Sequence, residues 1–244
     1  MTEPVSTTPF EGLGQHFMLS DSEGDAALVM AEYEAIADRI AADGCRRLLD
    51  WGCGFGYVAQ FLRERGVEVV MYDYAHDADG TRKVPLTRFP GFTLTVSDDP
   101  IRLAYPDGDF DAVLSLGTLE HVSHPEHSLA EIHRVLVPGG RFYCYKLPNR
   151  HSCVEFAARK TGRYYHGKHE FDRVYTMHSA RQMIAKNGFD VLDARYRNIV
   201  PLHQASRVVP KARIPLVRRV SDVVTAVPGF RRLSTNVELV AVRR

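Results

Sequence analysis

A glycine-rich stretch early in the chain, residues 50–56 (DWGCGFG), combines residue types that suit the binding of a nucleotide-like ligand. Glycines allow a tight turn and let a ligand approach the backbone closely. The next segment, Tyr57–Arg65, has helical spacing, and the N-terminus of such a helix offers free N–H groups to a carboxylate or phosphate. Asp73 stands 21 residues after Gly52, where its carboxylate can accept both hydroxyls of a ribose. A dinucleotide site has similar spacing, and a tight turn that binds nothing is the third interpretation.

A second candidate is the stretch 163–173 (RYYHGKHEFDR), which is dense in titratable side chains. A histidine in such a stretch can serve as a general base when a carboxylate orients its ring. We therefore expect His169 to act as the base, oriented by Glu170 or Asp172, with His166 as its competitor. The alternative is a solvated polar loop that ends in a helix cap.

Three histidines at a spacing of three residues, His121, His124 and His127, could suggest a metal site. Pro125 suits the first turn of a helix, and the neighbouring residues are polar. These features favour an exposed turn, so the sequence predicts no metal here.

The elements that must position these residues follow from short apolar runs that alternate with segments of helical spacing. Strands are predicted at Arg46–Trp51, Val67–Asp73, Phe92–Val96, Phe110–Leu116, Arg141–Leu147, Val191–Tyr196 and Val237–Arg243. Helices are predicted at Asp25–Asp43, Tyr57–Arg65, His127–Leu136 and Ser179–Asn187. This alternation favours a parallel sheet covered on both faces, and ligands bind such sheets beyond the carboxyl ends of the strands.

Composition narrows the class of protein. The chain has 244 residues, of which 45% are hydrophobic and 25% charged, as in an ordinary globular domain. No apolar run approaches the roughly 20 residues that span a bilayer, and the polar, acidic N-terminus does not resemble a signal peptide. Four cysteines stand far apart without metal-ligand spacing. We therefore expect a cytoplasmic protein, with peripheral membrane contact as an open alternative.

Charge divides the chain into an acidic and a basic part. Residues 1–146 carry 12 Lys and Arg against 23 Asp and Glu, a net −11. Residues 147–244 carry 19 Lys and Arg against 7 Asp and Glu, a net +12. The basic part favours an acceptor or a surface that is anionic.

Within the basic part, Ile214–Val227 can form an amphipathic helix. Its apolar face would hold Leu216, Val217, Val220, Val223, Val224 and Val227, and its polar face Arg218, Arg219, Asp222 and Thr225. One interpretation packs the apolar face on the sheet. A second brings residues 207–232 into peripheral contact with an anionic membrane, or makes them cap a lipid-linked or phosphorylated substrate. Nucleic acid is disfavoured because we find no recognition module in the sequence.

Four stretches occur together in a specific order: LLDWGCGFG (48–56), MYDYA (71–75), LAYPDGDFDAVLSLGTLEHV (103–122) and EIHRVLVPGGRFYCYKLPN (131–149). They resemble the motifs of the class I S-adenosylmethionine (SAM) methyltransferases, specifically the type-11 subgroup similar to ubiquinone- and menaquinone-biosynthesis methyltransferases. A nicotinamide enzyme would have no reason to carry the Leu-Glu-His-Val and Pro-Gly-Gly elements.

This resemblance implies an α/β fold, a Rossmann-like, mostly parallel sheet of seven strands with helices on both faces and an antiparallel last strand. A single methyltransferase domain would span residues 1–244. Its parts would be an arm and helix (1–45), a SAM-binding half (46–147) and two substrate-cap insertions (148–178 and 198–233).

The resemblance also implies roles for individual residues. Asp50, Gly52 and Gly54 would border the methionine part of SAM, Asp73 would hold the ribose, Tyr74 would lie against the adenine, and Leu116 and Gly117 would line the floor. The family places an acid near the adenine amine, which here is Asp99, or Asp98 if Pro100 shifts the pattern, because proline lacks the N–H that the family also uses. Glu120-His121 recurs in members with different substrates, which favours a structural role, with His121 as a candidate catalytic residue.

The predicted function is therefore methyl transfer from SAM to a small molecule, a lipid or a glycan, with oxygen as the preferred acceptor atom. An alcohol acceptor needs a general base, and the enzyme otherwise supplies proximity, orientation and a dry pocket. The alternatives are a C- or N-methyltransferase of a small metabolite and a SAM-binding regulatory subunit without catalysis.

Overall fold

The structure is a computed structural model, and it describes residues 23–75, 89–160, 171–199, 216, 219, 221, 223–225 and 227–244. The strands are β1 (Arg47–Trp51), β2 (Glu68–Tyr74), β3 (Thr93–Ser97), β4 (Phe110–Leu116), β5 (Leu136–Pro148), β6 (Phe189–Arg197) and β7 (Asn236–Arg243). The helices are α1 (Glu23–Ala42), α2 (Tyr57–Glu64), α3 (Pro125–Val135), α4 (Cys153–Lys160) and α5 (Met177–Lys186). Short 3-10 helices cover Leu119–His121 and Phe230–Leu233.

All seven strands lie in one sheet of order β3-β2-β1-β4-β5-β7-β6. Strands β1 to β5 pair in parallel, and β7 inserts antiparallel between β5 and β6. The predicted fold class is confirmed. The chain runs outward from β1 to β2 on one side and returns to β4 on the other. The loops that follow β1 and β4 therefore diverge and leave a crevice at the carboxyl edge of the sheet.

Side chains alternate between two apolar layers along each strand. The layer toward α1 and α2 buries Leu48, Met71, Leu114 and Tyr143, and the layer toward α3 and α5 buries Leu49, Tyr72, Val113 and Phe142. Both faces of the central strands are therefore covered, which explains why their sequences read as continuous apolar runs.

The connection from α3 to β5 is tighter than the sequence predicts, because the strand already begins at Leu136 and includes the Pro-Gly-Gly turn. A Cβ atom on Gly140 would lie 2.8 Å from the carbonyl oxygen of Val137, so this close approach requires glycine. The register with β4 shifts between Phe110 and Ala112, which accommodates the turn as a bulge.

The two predicted cap insertions are described only in part. Residues 148–178 contain α4, which the sequence did not predict, and residues 161–170 lie outside the described residues. In the predicted helix Ile214–Val227, the described residues 216, 219, 221 and 223–225 are helical. No helix among the described residues is long and apolar enough to cross a membrane.

The helix at 216–225 is rotated relative to the interpretation that packs its apolar face on the sheet. Ser221 is buried, and its Oγ accepts a hydrogen bond from the backbone N–H of Ile199 at 3.0 Å. Leu216, Val223 and Val227 are exposed instead. That packing interpretation is therefore wrong for these three residues, whereas Val224 of the same predicted face is half-buried.

Candidate functional site

The glycine-rich loop is fixed to the ends of two neighbouring strands. The backbone N–H groups of Gly52 and Cys53 both donate to the carbonyl oxygen of Tyr72, at 2.9 and 3.1 Å. Gly52 has φ 78°, and a Cβ atom there would lie 2.3 Å from Oγ1 of Thr118 in the loop after β4. Gly54 has φ 51°, and a Cβ atom there would meet no atom within 4 Å. The loop is thus packed at Gly52 and open at Gly54.

Helix α2 begins directly after this loop. Its N-cap residue, Gly56, makes no side-chain capping hydrogen bond, and the first turn contains no acidic residue. The N–H groups of a helix start that lacks such a cap can receive a carboxylate, and the helix dipole favours a negative charge there.

Two buried carboxylates, Asp50 and Asp73, lie at the carboxyl ends of β1 and β2. Asp50 pairs in register with Met71, two residues before Asp73, so both side chains share one face of the sheet. Burial, together with the nearby charge of Asp73, raises the pKa of Asp50 to about 7. Oδ1 of Asp73 accepts the backbone N–H of Tyr74 at 2.8 Å, which orients its carboxylate.

The turn after β3 contains the two candidate adenine acids, Asp98 and Asp99. Oδ1 of Asp99 accepts the backbone N–H groups of Ile101 and Arg102, both at 2.9 Å, and these bonds lower the pKa of Asp99. The N–H of Asp99 donates to Oγ of Ser97 at 3.0 Å. Oδ1 and the backbone N–H of Asp99 therefore both make hydrogen bonds within the turn, and Asp98 and Asp99 are both exposed.

The end of β4 carries the next predicted residues. Leu116 is partly buried against the α1 and α2 layer, and Gly117 has φ 70°. The N–H of Gly117 donates to the carbonyl oxygen of Tyr145 at 3.0 Å. A Cβ atom on Gly117 would lie 3.6 Å from Oε1 of Glu120, so the β4 loop folds back on itself.

His121 is the predicted catalytic candidate that the structure describes. Its Nδ1 lies 2.8 Å from Oδ1 of Asp172, and the two side chains are 44% and 4% exposed. Asp172 was predicted as one of two acids that orient His169, and this stays a prediction because His169 lies outside the described residues. His166, His169 and Glu170 lie outside the described residues.

Arg173 holds Asp172 in this position. Its backbone N–H donates to the carbonyl oxygen of Glu120 at 3.0 Å, and its guanidinium donates to the carbonyl oxygens of Ser123, at 2.9 Å, and of Val122. The segment at 171–173 is therefore tied to the turn that contains His121, so the pairing of His121 with Asp172 has a rigid backbone support.

Glu120 is buried beside this pair. Its Oε1 lies 3.9 Å from Nε2 of His121, and its Oε2 has no hydrogen-bond partner among the described residues. Burial, reinforced by the charge of Asp172, raises the pKa of Glu120 to about 8. Its carboxyl group is therefore mostly protonated and neutral near pH 7.

The sequence did not single out a second buried network, which lies where β5 and β6 end. Nζ of Lys146 lies 2.8 Å from Oε2 of Glu32 on α1, and Nδ2 of Asn198 donates to Oε1 of the same carboxylate at 2.9 Å. Burial alone would raise the pKa of Glu32 and lower that of Lys146. The attraction between the two charges is the larger effect, so the pKa of Glu32 is lowered and that of Lys146 is raised. Lys146 and Asn198 also have positive φ, at 62° and 58°. The signal for this network in the sequence is a single lysine near the end of an apolar strand.

The histidines considered for a metal site do not converge. His124 precedes α3 and His127 lies in its first turn, with their ring centroids 5.6 Å apart, and both are exposed. Within the described ranges, no group of three or more His, Cys, Asp or Glu side chains could hold a metal ion.

Comparisons with known proteins agree with this geometry. A family model described as "Methyltransferase domain" matches residues 49–144. The ubiquinone biosynthesis O-methyltransferase of Roseobacter denitrificans is 28% identical over 158 residues, which are 61% of this chain and 62% of that protein. The demethylmenaquinone methyltransferase of Beutenbergia cavernae is 37% identical over 109 residues, which are 44% of this chain and 43% of that protein. The chain thus spans less than two thirds of the length of either relative.

A solved structure shows the same fold. It is a SAM-dependent methyltransferase, a possible histamine N-methyltransferase, from Thermotoga maritima, with a TM-score of 0.59 at 17% identity. The alignment covers 89% of this chain and 93% of that one. At this identity the likeness concerns the fold alone.

The residues present fit the cofactor of such enzymes. The loop is open at Gly54, the first turn of α2 lacks an acid, and the carboxylate of Asp73 stands at the end of β2, where a ribose would lie. The family match at residues 49–144 and the geometry of the site together support a class I SAM-dependent methyltransferase domain of the type-11 subgroup, whose cofactor is S-adenosylmethionine.

Proposed function

We propose that this protein transfers a methyl group from SAM to an oxygen atom of a small-molecule, lipid or glycan acceptor, with His121 as the general base. The observation that carries the proposal is the 2.8 Å contact between Nδ1 of His121 and the buried Oδ1 of Asp172. A partly exposed imidazole with a buried carboxylate behind it is an arrangement that accepts a proton from an incoming hydroxyl.

The proton transfer follows from the charges of these three side chains. An ionised Asp172 accepts the Nδ1–H of His121, which places the lone pair of the neutral ring on Nε2. A hydroxyl that approaches Nε2 gives up its proton as its oxygen attacks. Asp172 then stabilises the imidazolium that forms. Glu120, protonated near pH 7, adds no competing negative charge beside Nε2.

The other residues hold the cofactor, which supplies an electrophilic methyl group when bound. Asp73 would accept the ribose hydroxyls, and the loop around Gly52 and Gly54 would border the methionine part with Asp50. Asp98 would meet the adenine amine, since the carboxylate of Asp99 is bound within its own turn. Tyr74, Leu116 and Gly117 would surround the ring and the floor of the site.

The acceptor class is supported by the relatives and by charge. One relative is named for O-methylation in ubiquinone biosynthesis and another for demethylmenaquinone, so a hydroxylated aromatic compound is the acceptor that we test first. The net +12 of residues 147–244 favours an anionic acceptor. An N-methyltransferase would need a neutral amine rather than a base, and a regulatory SAM-binding subunit would need no acceptor at all.

The test combines binding with turnover. Calorimetry should detect SAM binding by the wild type and a large loss of affinity in Asp73→Ala. Methyl transfer from labelled SAM is then measured with 3,4-dihydroxybenzoate, catechol, and a primary amine as the probe for N-methylation. His121→Ala should lose turnover but keep SAM affinity, and His127→Ala, an exposed histidine on α3, is the matched control. Absence of SAM binding, or equal turnover by His121→Ala, would refute the proposal.

A further inference from the structure

Most of the exposed large apolar side chains lie in two segments of the chain, α4 and residues 216–233. Among the described residues, eight large hydrophobic side chains are exposed, and six of them lie on α4, on the helix at 216–225 or just after it. These six, which we call the platform, are Phe156, Leu216, Val223, Val227, Phe230 and Leu233, and they are between 43% and 65% exposed. Such clustering marks an interaction site, whereas scattered exposed residues need no explanation.

Hydrogen bonds join the parts of the platform. The N–H of Ile199 donates to Oγ of Ser221, and its carbonyl oxygen accepts a weak hydrogen bond from Sγ of Cys153, at the start of α4, at 3.8 Å. The buried Asn149 donates to the carbonyl oxygens of Arg232 and Ser234, at 2.8 and 2.7 Å. Helix α4 and the segment that ends at Leu233 are therefore anchored to the same region of the protein.

Three apolar residues of the helix at 216–225 and the turn after it face outward, whereas Val224 is half-buried. Leu216, Val223 and Val227 are separated by seven and four residues and share one face, whereas the buried Ser221 lies on the opposite side. A helix of a globular protein normally buries its apolar face. The exposure of these three side chains is therefore a reason to look for an apolar partner.

Arginines accompany the exposed apolar residues. Arg219 lies on the same helix, Arg231 and Arg232 lie between Phe230 and Leu233, and all three are exposed. On α4, Nζ of Lys160 lies 5.8 Å from the ring centroid of Phe156. Apolar side chains interspersed with basic ones are typical of helices that lie in the surface of an anionic membrane.

We infer that the platform binds the surface of an anionic lipid membrane, with its apolar side chains in the acyl boundary and its arginines at the phosphate groups. A second copy of the chain would bring the same arginines together across a two-fold axis, which disfavours a homodimer here. Nucleic acid would engage the arginines but would leave the exposed valines and leucines without a partner.

The residues that anchor the platform lie at the carboxyl edge of the sheet. Asn149 follows β5 and Ile199 follows β6, so both anchors stand at the carboxyl edge, where the loops after β1 and β4 form the cofactor crevice. A membrane-dissolved acceptor would therefore be presented at the edge that carries the site. This last step rests on the proposed function, whereas membrane binding itself does not.

Co-sedimentation of the full chain with lipid vesicles tests the inference. We expect binding to phosphatidylcholine vesicles that contain phosphatidylglycerol, weaker binding at high salt, and little binding to phosphatidylcholine alone. Phe230→Asp should reduce partitioning about tenfold or more. Arg231→Gln should reduce it about fivefold. Each variant changes an exposed side chain, and circular dichroism with thermal melting checks that the fold is intact.

Two matched controls lie away from the platform. Leu192→Asp introduces the same charge at an exposed leucine on the edge strand β6, and Arg46→Gln removes an exposed arginine at the opposite, amino edge of the sheet. Both should bind vesicles as the wild type does. The inference is overturned if the wild type fails to bind anionic vesicles at low salt, or if the platform variants and the controls bind alike.

Sedimentation velocity without lipid provides the remaining outcome. A dimer that Phe230→Asp dissolves would show that a second copy covers the platform, and the membrane inference would fall. SAM calorimetry on the same variants keeps the two proposals apart. Loss of vesicle binding with unchanged SAM affinity supports the platform whether or not the proposed methyl transfer is correct.

Discussion

A Cβ atom on Gly52 would lie 2.3 Å from Oγ1 of Thr118, so the loop after β1 and the loop after β4 are in direct contact. The two loops come from neighbouring strands whose chains leave in opposite directions. Their contact closes the base of the crevice. Position 52 thus needs glycine for two reasons, the close approach and the positive φ of 78°.

Gly52→Ala should therefore be strongly destabilising. The left-handed conformation costs about 1–2 kcal/mol for a residue with a Cβ atom. Overpacking against Thr118 adds about 1–3 kcal/mol. Urea unfolding should show a loss of roughly 2–5 kcal/mol relative to the wild type.

Gly54→Ala is the matched control, because Gly54 also has positive φ but its Cβ position is open. Gly54→Ala should lower the free energy of unfolding only by the cost of the left-handed conformation, about 1–2 kcal/mol. The double variant Gly52→Ala with Thr118→Gly should recover much of the packing part. Equal stability of the two single variants would contradict the contact between the loops.

The contact between His121 and Asp172 predicts that substitutions at the two residues have non-additive effects on kcat. Asp172→Asn should lower kcat by about 10–100-fold, because the ring loses its buried charge partner, while His121→Ala should lower it by about 100-fold or more. Since Asp172 acts through His121, the double variant should be no slower than His121→Ala. Turnover of the probe that proves active, measured with SAM in excess, checks this, and SAM affinity should stay constant. Multiplicative losses would show that Asp172 acts independently of the ring.

Glu120 makes the stability of the fold depend on pH. Its pKa is about 8 in the folded protein and about 4.5 when unfolded, so the folded state holds a proton that the unfolded state releases. The stabilisation is fully present below the unfolded pKa and is lost as the pH rises through about 8. Between these limits the free energy of unfolding falls by about 1.4 kcal/mol per pH unit for this group.

Glu120→Gln, which replaces the neutral acid with a neutral amide, should remove this slope. Urea unfolding at several pH values between about 5.5 and 7.5 measures the difference between the variant and the wild type. Glu126→Gln, an exposed change on α3, is the control. Parallel profiles for the wild type and Glu120→Gln would show that Glu120 is ionised in the folded protein.

The turn after β3 leads to a prediction about its two neighbouring carboxylates, Asp98 and Asp99. Asp98→Asn should weaken SAM binding about tenfold or more if its carboxylate meets the adenine amine. Asp99→Ala should leave SAM affinity close to wild type and lower the melting temperature, because the N–H groups of Ile101 and Arg102 lose their acceptor. Calorimetry and thermal melting distinguish the two, and the reversed pattern would return the adenine role to Asp99.

Local patterns sufficed to predict the strands and the glycine-rich loop. Strands that are buried on both faces read as short continuous apolar runs, which can be recognised in the sequence. The glycine loop and Asp73 lie within one strand–loop–helix–strand unit, so their relation is also local. The paired register of β1 and β2 then places Asp50 and Asp73 on one face of the sheet.

Long-range pairings could not be predicted in the same way. Asp172 is 51 residues from His121, and its nearer histidines at 166 and 169 were the natural partners in the sequence. The orientation of the helix at 216–225 could not be predicted for another reason. Its apolar face is clear in the sequence, but a single hydrogen bond, from Ile199 to Ser221, decides which side meets the protein.

Glu32 and Lys146 provide the last prediction, because the buried Glu32 pairs at 2.8 Å with the largely buried Lys146. Removal of one charge leaves the other buried and uncompensated, so Glu32→Gln and Lys146→Met should each cost about 3–5 kcal/mol. The double variant Glu32→Met with Lys146→Met should recover much of that loss, since an apolar pair of similar volume replaces the charges.

Urea unfolding measures these costs, and Asp193→Asn is the control for an ion pair near the surface. Asp193 pairs with Arg39 at 2.9 Å, but both side chains are about a third exposed or more, so its loss should cost under about 1 kcal/mol. Lys146 follows the end of the apolar stretch of β5, next to the strand that leads to His121. If Glu32→Gln lowers the free energy of unfolding as little as Asp193→Asn does, then the ammonium group of Lys146 is solvated and does not depend on Glu32. The positive φ of Lys146 would then be maintained by packing alone.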